Sequence, residues 1–296
     1  MTGYHTAPMI VDTDGDRGLR DIYFHESVTD LSDVAGPAWP EVLHRTALLL
    51  FTPDAVVSNQ VGAGIEFLRR HGYTVAAHAP VRLHRHHIRE IWRRDLSDPG
   101  WETRDRLAIC DRLLTFTDSL AVLLVDESPE PDRPAARRLT ALKGSGEPQQ
   151  RTAGTLRASL DSPNNVFRLV HASDGPEQVL REIGILFAAR RRRELFKALT
   201  HADRVPAAVL TADARQLART AGPQSLNAEP SLRRLLDASP TANLHRHLAD
   251  LAAGRPVHCW ALYEAIDESG LDFIEWDVIA VGALALSSLP RPPEEA

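Results

Sequence analysis

Cysteine is scarce in this sequence, with two residues among 296. Cys110 and Cys259 lie far apart in the chain and form no CxxC pair, which excludes the cysteine spacings of zinc sites and disulfide frameworks. Both cysteines fall in stretches with helical spacing. We therefore expect free, buried thiols in a protein that works in a reducing compartment.

The sequence also has no apolar run long enough to span a bilayer. Its most apolar late stretch, residues 278–289, is shorter than the roughly 20 residues that a spanning helix needs, so we expect a buried terminal helix. The first residues lack the basic segment and apolar core of a secretory signal. We expect a cytoplasmic protein without a membrane partner.

Neither sign of charge dominates the chain. The formal net charge is -6 and the isoelectric point is about 6.1, so the overall electrostatics do not indicate a nucleic-acid partner. The densest basic cluster is the run of four arginines at 190–193. We interpret this run as an exposed helix face, suited to contact with a partner subunit, in preference to a nucleic-acid site. A chain of this length with 43% hydrophobic residues can bury a sizeable core.

The apolar periodicity of the central region alternates between strands and helices. Strands are predicted at 46–51, 74–83, 119–127 and 165–172. Helices are predicted at 61–73, 84–96, 104–116, 134–144 and 175–187. This order indicates an α+β domain in which helices cover one side of a mainly antiparallel sheet.

The flanking regions have a different character. Residues 1–43 contain Gly, Asp and Pro with one apolar patch at 21–24, and we predict an N-terminal extension that contributes an edge strand. From residue 188 onward the pattern predicts an all-helical C-terminal domain, and the chain is thus divided into 1–43, 44–187 and 188–296. The C-terminal helices are predicted at 188–200, 210–220, 230–238, 241–253, 256–269 and 272–288.

Three motifs follow one another in the central region. LLLFTPDAV ends a strand, LKGSGEPQQRTAGTLR is a long loop before the next strand, and HASDGPEQVLREI places His171 between a strand and a helix. In this order they resemble the KPDAV, GxTNPxxxxPGTIR and NxxHGSD motifs of nucleoside diphosphate kinases, in which a glutamate follows on the next helix. The resemblance covers about residues 44–187. It needs one extra residue between the last two motifs and a longer helical segment before the third strand.

The resemblance implies a ferredoxin-like βαββαβ fold and a ping-pong transfer of a nucleotide phosphoryl group. It assigns His171 as the nucleophile that becomes phosphorylated, with Glu182 and Ser173 orienting it. A neutral imidazole is a competent nucleophile near pH 7. Arg157, in the GTLR string, matches the arginine that grips the phosphates, and its fork of donors suits that role. The resemblance further implies Mg²⁺ bound with the nucleoside triphosphate, and a homo-oligomer.

The phosphate clamp departs from the family pattern. Thr52 stands where the KPDAV lysine would neutralise the transferred phosphate, and Thr140 stands where a second arginine would bind phosphate. Gly146 and Glu147 replace a Thr-Asn pair, and Arg168 replaces the asparagine three residues before the histidine. Removal of one preorganised donor costs roughly 2.7–4 kcal/mol of transition-state stabilisation, so the clamp needs charge from elsewhere.

Nearby residues offer replacements for the altered clamp. The basic candidates are Arg138, Arg151, Arg168 and Lys143. For the nucleoside, Trp92 matches a family tyrosine and Trp101 is a candidate stacking face. Stacking tolerates any base, so it would not set base specificity.

Our leading hypothesis is a divergent phosphotransferase that moves a nucleotide phosphoryl group through phospho-His171 to an unidentified acceptor, of the kind that a specialised pathway would supply. The rival is a catalytically impaired nucleotide-binding or scaffold protein with the same fold, which the loss of lysine at Thr52 favours and the retention of Ser173 and Glu182 opposes. A third hypothesis gives His171 a general acid–base role on a nucleotide. The simplest alternative for His171 is a strand-end histidine that satisfies a backbone group, and for Asp54 a turn and capping residue.

Overall fold

A four-stranded antiparallel sheet forms the centre of the molecule. The computed structural model describes residues 21–93, 96 and 103–290. The strands are β1 (Thr46–Phe51), β2 (Tyr73–Val81), β3 (Ser119–Asp126) and β4 (Val170–Ala172), in the spatial order β2-β3-β1-β4. All three neighbouring pairs are antiparallel. This order and the helical connections before β2 and β4 confirm the ferredoxin-like class.

Helices account for most of the remaining described chain. Before β3 they are α1 (Ile22–Ala35), α2 (Trp39–His44), α3 (Pro53–Val57), α4 (Val61–Arg70), α5 (Arg85–Ile91) and α6 (Thr103–Thr115). Between β3 and the end of the sheet domain they are α7 (Ala135–Lys143), α8 (Leu156–Ser159) and α9 (Pro176–Leu186). The C-terminal helices are α10 (Ala189–Thr200), α11 (Ala207–Ala221), α12 (Glu229–Ala238), α13 (Ala242–Ala252), α14 (Cys259–Glu268) and α15 (Glu275–Ser288).

The central strands are covered on both faces. Every residue of β1 and of β3 is buried, and successive side chains of a strand point to opposite faces of the sheet. The expectation that helices cover only one side is therefore wrong. The reason lies in the later chain, because α9 contacts β1 and α10 contacts both β2 and β3.

The last strand is shorter than the sequence predicts. Only residues 170–172 pair with β1, whereas a strand was expected from residue 165. The preceding backbone turns instead: the Arg168 amide bonds to the Val166 carbonyl, and Leu169 has a φ of 64°. Left-handed backbone at a residue with a side chain cannot continue a ladder. The strand therefore begins only after this turn.

The N-terminal extension is helical where the structure describes it. The apolar patch at 21–24, predicted as an edge strand, instead starts α1, and the Asp21 carboxylate caps that helix by accepting from the amides of Tyr23 and Phe24. A side-chain acceptor at this position satisfies amides that have no partner within the helix. The expected extension over residues 1–20 lies outside the described residues.

The arginine run on α10 is only partly an exposed face. Arg190 and Arg191 are exposed, but Arg192 is buried, and its guanidinium pairs with Asp30 at 2.6 Å and with Glu26 at 3.1 Å on α1. A buried arginine requires such partners because desolvation of a charge is costly. The run thus joins α10 to α1 within the chain.

The C-terminal region is helical, and its six predicted helices are all found with ends shifted by a few residues. It shares cores with the sheet domain. Two helices, α10 and α11, pack into the core around the sheet, and α12 to α15 form a second core that includes Ile109 and Phe167. The terminal helix α15 is buried over most of its length, as expected. Within the described ranges we find no helix with both the length and the apolar character needed to cross a membrane.

Candidate active site

His171 lies in the middle of β4, opposite Leu50 of β1. Its neighbours Val170 and Ala172 are buried, so the imidazole points to the other face, where its side chain is 17% exposed. The chain then turns at Gly175 and enters α9 with Pro176 as the first helical residue, a position that suits proline because its missing N–H is not needed there. The structure therefore confirms that His171 lies where a strand gives way to a helix.

A buried carboxylate holds the imidazole. The His171 Nε2 atom lies 3.0 Å from Glu182 Oε2, and the Ser173 hydroxyl donates to the same oxygen at 2.7 Å. Since this oxygen receives the serine proton as well, the simplest assignment is that Nε2 carries a proton and donates it to the carboxylate. The Nδ1 atom is then the nitrogen with a free lone pair, and none of the described residues forms a hydrogen bond with it.

A cavity of about 510 Å³ opens in front of the histidine. Its size falls in the range of small-molecule sites. The charged side chains on its wall are the cations Arg106, Lys143, Arg157 and Arg168 and the carboxylates Asp54, Glu147 and Asp174. Positive charge is in slight excess, and burial raises the pKa of the Asp54 carboxyl, which favours its neutral form. The wall is thus suited to an anionic ligand.

Arg157 is the most deeply buried of these cations, at 7% exposure. Its Nη1 donates to the Gly144 carbonyl at 2.9 Å and its Nη2 to the Val170 carbonyl at 2.8 Å. Its Nε is buried and has no partner among the described residues. Burial lowers the pKa of the guanidinium to about 10, which leaves it cationic at neutral pH. Arg157 therefore links the loop of the second motif, at Gly144, to β4, and its Nε–H group remains available to a ligand.

Lys143 ends α7 and reaches the same cavity. Its Nζ atom lies 3.3 Å from Asp174 Oδ1 and 3.4 Å from the Ala172 carbonyl. Its side chain is 12% exposed, and burial lowers the pKa of the ammonium. Thr140, one turn earlier on α7, donates to the same Asp174 oxygen at 3.2 Å. Lys143 and Thr140, both on α7, therefore contact Asp174, the residue that follows Ser173.

The Arg168 side chain packs beside Gly146 and Glu147, in the loop of the second motif. Its Nε donates to the Asn165 carbonyl at 2.7 Å and its guanidinium faces Glu147 at 3.8 Å. A Cβ atom added at Gly146 would lie 3.0 Å from Arg168 Nε, so glycine at that position makes room for the arginine. The side chain is 40% exposed. The departures at 146, 147 and 168 therefore form one local arrangement on the cavity wall.

The first motif fixes the turn that precedes β4. The Asp54 carboxylate accepts the Leu169 amide at 2.9 Å, and the Thr52 amide donates to the Leu169 carbonyl at 3.1 Å. Asp54 is 1% exposed. Its observed contact is thus that of a turn-stabilising residue. Thr52 also lines the cavity, with a neutral hydroxyl in place of a charge.

One wall of the cavity is apolar and was not anticipated from the sequence. It includes Ile109, Cys110 and Leu113 on α6 and Leu286 on the C-terminal helix α15. Trp92 stands next to the histidine, with ring centroids 4.9 Å apart and an interplanar angle of 66°. The cavity therefore has a charged side near the loop and an apolar side built by helices.

Two of the predicted clamp residues lie elsewhere. Arg138 does not line the cavity; its guanidinium pairs with Asp126 at 2.9 Å and lies over the Tyr73 ring. Arg151 does not line it either, because its guanidinium donates to backbone carbonyls at Ser145, Gly146, Ser162 and Asn164 and so holds the loop together. Trp101 lies outside the described residues.

The remaining predicted residues come together around one cavity. His171, Arg157, Arg168, Thr52 and Trp92 all line it. Glu182 and Ser173 lie behind the histidine and contact it or each other. Arg106 and the apolar helix faces were missed. Their only sequence signal is a helical stripe at positions 106, 109, 110, 113 and 114, which does not distinguish a cavity wall from a core.

The fold and this site define an α+β domain with a carboxylate-held histidine in a cation-lined cavity, and comparison with known proteins places it in a family. The family model described as nucleoside diphosphate kinase matches residues 45–191. A nucleoside diphosphate kinase of Sorangium cellulosum is 31% identical over 146 residues, which is 49% of this chain and 92% of that protein. One of Pyrococcus furiosus is 26% identical over 155 residues, covering 51% and 88%. The chain belongs to the nucleoside diphosphate kinase family.

Solved structures of nucleoside diphosphate kinases align with about half of the chain. A nucleoside diphosphate kinase of Encephalitozoon cuniculi has a TM-score of 0.39 at 19% identity and covers 48% of this chain and 87% of its own. One of Halobacterium salinarum in complex with CDP has a TM-score of 0.38 at 18% identity and covers 56% and 97%. The N-terminal helix α1 and the helices after α10 lie outside the matched family model.

Proposed function

We propose that this protein is a nucleotide-dependent phosphotransferase in which His171 Nδ1 accepts and passes on a phosphoryl group. Membership of the nucleoside diphosphate kinase family supports nucleotide phosphotransfer in general terms. The single observation that carries the proposal is the contact of His171 Nε2 with Glu182 at 3.0 Å, beside a cation-lined cavity. This contact leaves the other ring nitrogen available as the nucleophile.

The first half-reaction forms one bond and breaks one. The Nδ1 lone pair attacks the terminal phosphorus of a nucleoside triphosphate, and the bond from that phosphorus to the bridging oxygen breaks, so that the nucleoside diphosphate leaves with the electron pair. In the second half-reaction an acceptor oxygen attacks the phosphorus and the N–P bond breaks. Imidazole becomes cationic when Nδ1 is phosphorylated, and the adjacent Glu182 carboxylate stabilises that charge.

The side chains around the histidine have separate parts in this scheme. Arg157 and Arg168 hold the phosphates from the loop side, since guanidinium donors match phosphate oxygens. Ser173 keeps the Glu182 oxygen in place through its 2.7 Å hydrogen bond. Trp92 packs its ring against the imidazole and limits its rotation. Fixed nucleophile geometry matters because phosphoryl transfer depends mostly on positioning and charge.

Magnesium enters this scheme with the nucleotide. Mg²⁺ takes oxygen ligands and is usually held by one or two carboxylates together with substrate phosphates. No group of three or more metal-binding side chains occurs in the described part of the chain, but the exposed carboxylate of Asp174 on the cavity wall fits an ion of this kind. Asp174 would hold the ion, which neutralises part of the triphosphate charge.

The altered clamp supports an acceptor other than an ordinary nucleoside diphosphate. Thr52 and Thr140 contribute no charge where the family motif has a lysine and an arginine. The apolar wall from α6 and α15 adds a surface made partly by α15, which lies outside the family model. An acceptor from a specialised pathway fits these differences. The homo-oligomer and the cytoplasmic location stay predictions.

Radiolabel transfer tests the phosphohistidine. We expect brief incubation with Mg²⁺ and a γ-³²P-labelled nucleoside triphosphate, across the four common bases, to label the protein in an acid-labile form, and His171→Ala to lose the label completely. The matched control is His201→Ala, which removes an exposed histidine outside the cavity and should keep full labelling. Label that persists in His171→Ala, or no label with any nucleotide, would refute the proposal.

A further inference from the structure

We propose that Lys143 supplies, from the end of α7, the positive charge at the transferred phosphoryl group that the family motif places at the position of Thr52. The inference rests on the proposed function, because it assumes that a phosphate ligand occupies the cavity. Lys143 lies immediately before Gly144, which matches the first glycine of the GxTNPxxxxPGTIR motif, so the motifs quoted above assign it no role.

The two positions face one space from different elements. Thr52 lies between β1 and α3, whereas Lys143 is the last residue of α7, and both line the cavity that His171 opens into. The helix ends there because Gly144 has a φ of 79°, which turns the chain toward the loop. The cavity thus lacks a lysine charge at Thr52 but has one at Lys143, which reaches it from a different element.

The contacts of Lys143 leave it ready for a further anion. Its two acceptors, Asp174 Oδ1 and the Ala172 carbonyl, lie 3.3 and 3.4 Å away, which is longer than the roughly 2.7–2.9 Å of strong charge-assisted hydrogen bonds. An ammonium has three N–H donors, so one remains after both acceptors are counted. The side chain is 12% exposed while the Asp174 side chain is 68% exposed, so the ammonium is mostly desolvated beside a counterion that remains largely in water. A phosphate would compensate this charge better.

Two of the three arginines on the wall, Arg157 and Arg168, are more firmly committed than Lys143. Arg157 donates to the Gly144 and Val170 carbonyls at 2.9 and 2.8 Å, and Arg168 donates to the Asn165 carbonyl at 2.7 Å. A planar guanidinium held in this way binds a phosphate in one orientation. A lysine ammonium is a point charge on a flexible stem, and it can remain with the phosphoryl group as that group moves from the nucleotide to the histidine.

A relocation variant tests this inference. Lys143→Met is expected to slow single-turnover phosphohistidine formation about 10²–10³-fold, as for the loss of one preorganised donor. Thr52→Lys combined with Lys143→Met should recover at least part of that loss, because it returns a lysine to the motif position. Thr52→Lys alone shows whether a lysine is tolerated there.

The chain offers a matched control, because it contains two lysines and the other, Lys197, is exposed on α10. The Lys197→Met variant should form phosphohistidine at the same rate as the unaltered protein. Labelling of Lys143→Met at the unaltered rate would overturn the inference. So would a double variant no faster than Lys143→Met while Thr52→Lys alone is active, since Lys143 would then have a role that a lysine at the motif position cannot replace.

A spectroscopic measurement separates this inference from the proposed function. With ¹³C-labelled lysine, the protein gives side-chain signals from two residues, and Lys197→Met assigns them. We expect addition of Mg²⁺ and a non-hydrolysable nucleoside triphosphate analogue, which retains the terminal phosphoryl group, to shift the Lys143 signal and leave the Lys197 signal in place. A Lys143 signal unchanged at nucleotide concentrations that calorimetry shows to be saturating would overturn the inference. A shift without any His171 labelling would instead support the phosphate contact while refuting the transfer reaction.

Discussion

At the scale of single residues, Asp54 connects the first motif to the strand that carries His171. Its carboxylate accepts the Leu169 amide, and this contact holds a residue with a φ of 64° immediately before β4. A buried amide left without an acceptor costs about 1–3 kcal/mol. The position of the histidine thus depends on a residue more than a hundred positions earlier in the chain.

We expect Asp54→Ala to lower the free energy of unfolding by about 1–3 kcal/mol, because it removes that acceptor. Asp54→Asn keeps an oxygen acceptor and should cost less. Urea unfolding of both variants measures the difference. Equal losses in the two variants would show that the Leu169 contact is not what Asp54 contributes.

The same carboxyl gives a pH dependence of defined sign. Burial raises its pKa in the folded protein, so the folded state keeps this proton to a higher pH than the unfolded state does. Its contribution to stability therefore falls as pH rises through the interval between the ordinary and the raised pKa. Asp54→Asn has no such proton, so its unfolding free energy should change less across that interval than that of the unaltered protein.

At the scale of elements, the N-terminal helix α1 packs closely against α9, the helix that carries Glu182. Gly184 on α9 lies against α1, where an added Cβ atom would be 2.4 Å from the Tyr23 carbonyl oxygen and 2.8 Å from Ser27 Oγ. Glu182 is two residues away, which is about 200° around a helix, so it faces the opposite direction toward His171. One face of α9 therefore contacts the N-terminal helix while the other supports the candidate nucleophile.

Gly184→Ala should displace α1, since the clash is with backbone and cannot be relieved by a side-chain rotation. We expect a loss of about 1–3 kcal/mol in unfolding free energy and faster amide hydrogen exchange across Ile22–Ala35. Gly62→Ala on α4 is the control, because its methyl group would meet only the Thr211 side chain, at 3.1 Å. Exchange in α1 that is the same in both variants would contradict this packing.

Helix periodicity predicted α10 to α14 well because each of them buries one apolar face, whereas α15 was predicted from a continuous apolar run that is buried over most of its length. The errors occurred where a local sequence pattern is overruled by distant contacts. The apolar patch at 21–24 became part of α1 because Asp21 caps a helix there and α9 and α10 offer a surface for it. The strand expected from residue 165 was shortened by a turn that Asp54 holds from far along the chain.

At the scale of the whole molecule, the C-terminal helix α15 contributes to the candidate site through Leu286 and packs against the segment before β4. Trp276 on α15 stacks on Phe167 with ring centroids 5.6 Å apart and an interplanar angle of 13°, and the Ser287 hydroxyl contacts the Asn165 side chain at 3.3 Å. Both partners precede β4 in the segment that leads to His171. The motifs predicted the histidine, its carboxylate and Arg157. They could not predict that Leu286 lines the cavity, because it lies on α15, more than a hundred residues after His171, in a helix with no motif of its own.

Leu286 of α15 lines the cavity, so we expect it to give the C-terminal region an influence on ligand choice. Leu286→Ala should change the relative affinity for purine and pyrimidine nucleoside diphosphates by about tenfold, as expected when methylenes are removed from an apolar pocket. Leu289→Ala is a matched control, since Leu289 is similarly buried in the same core and does not line the cavity. Both variants should lose about 2–5 kcal/mol of stability. Calorimetric affinities that change equally in the two variants would show that the effect arises from the weakened core, whereas a change confined to Leu286→Ala places α15 in the ligand-binding surface.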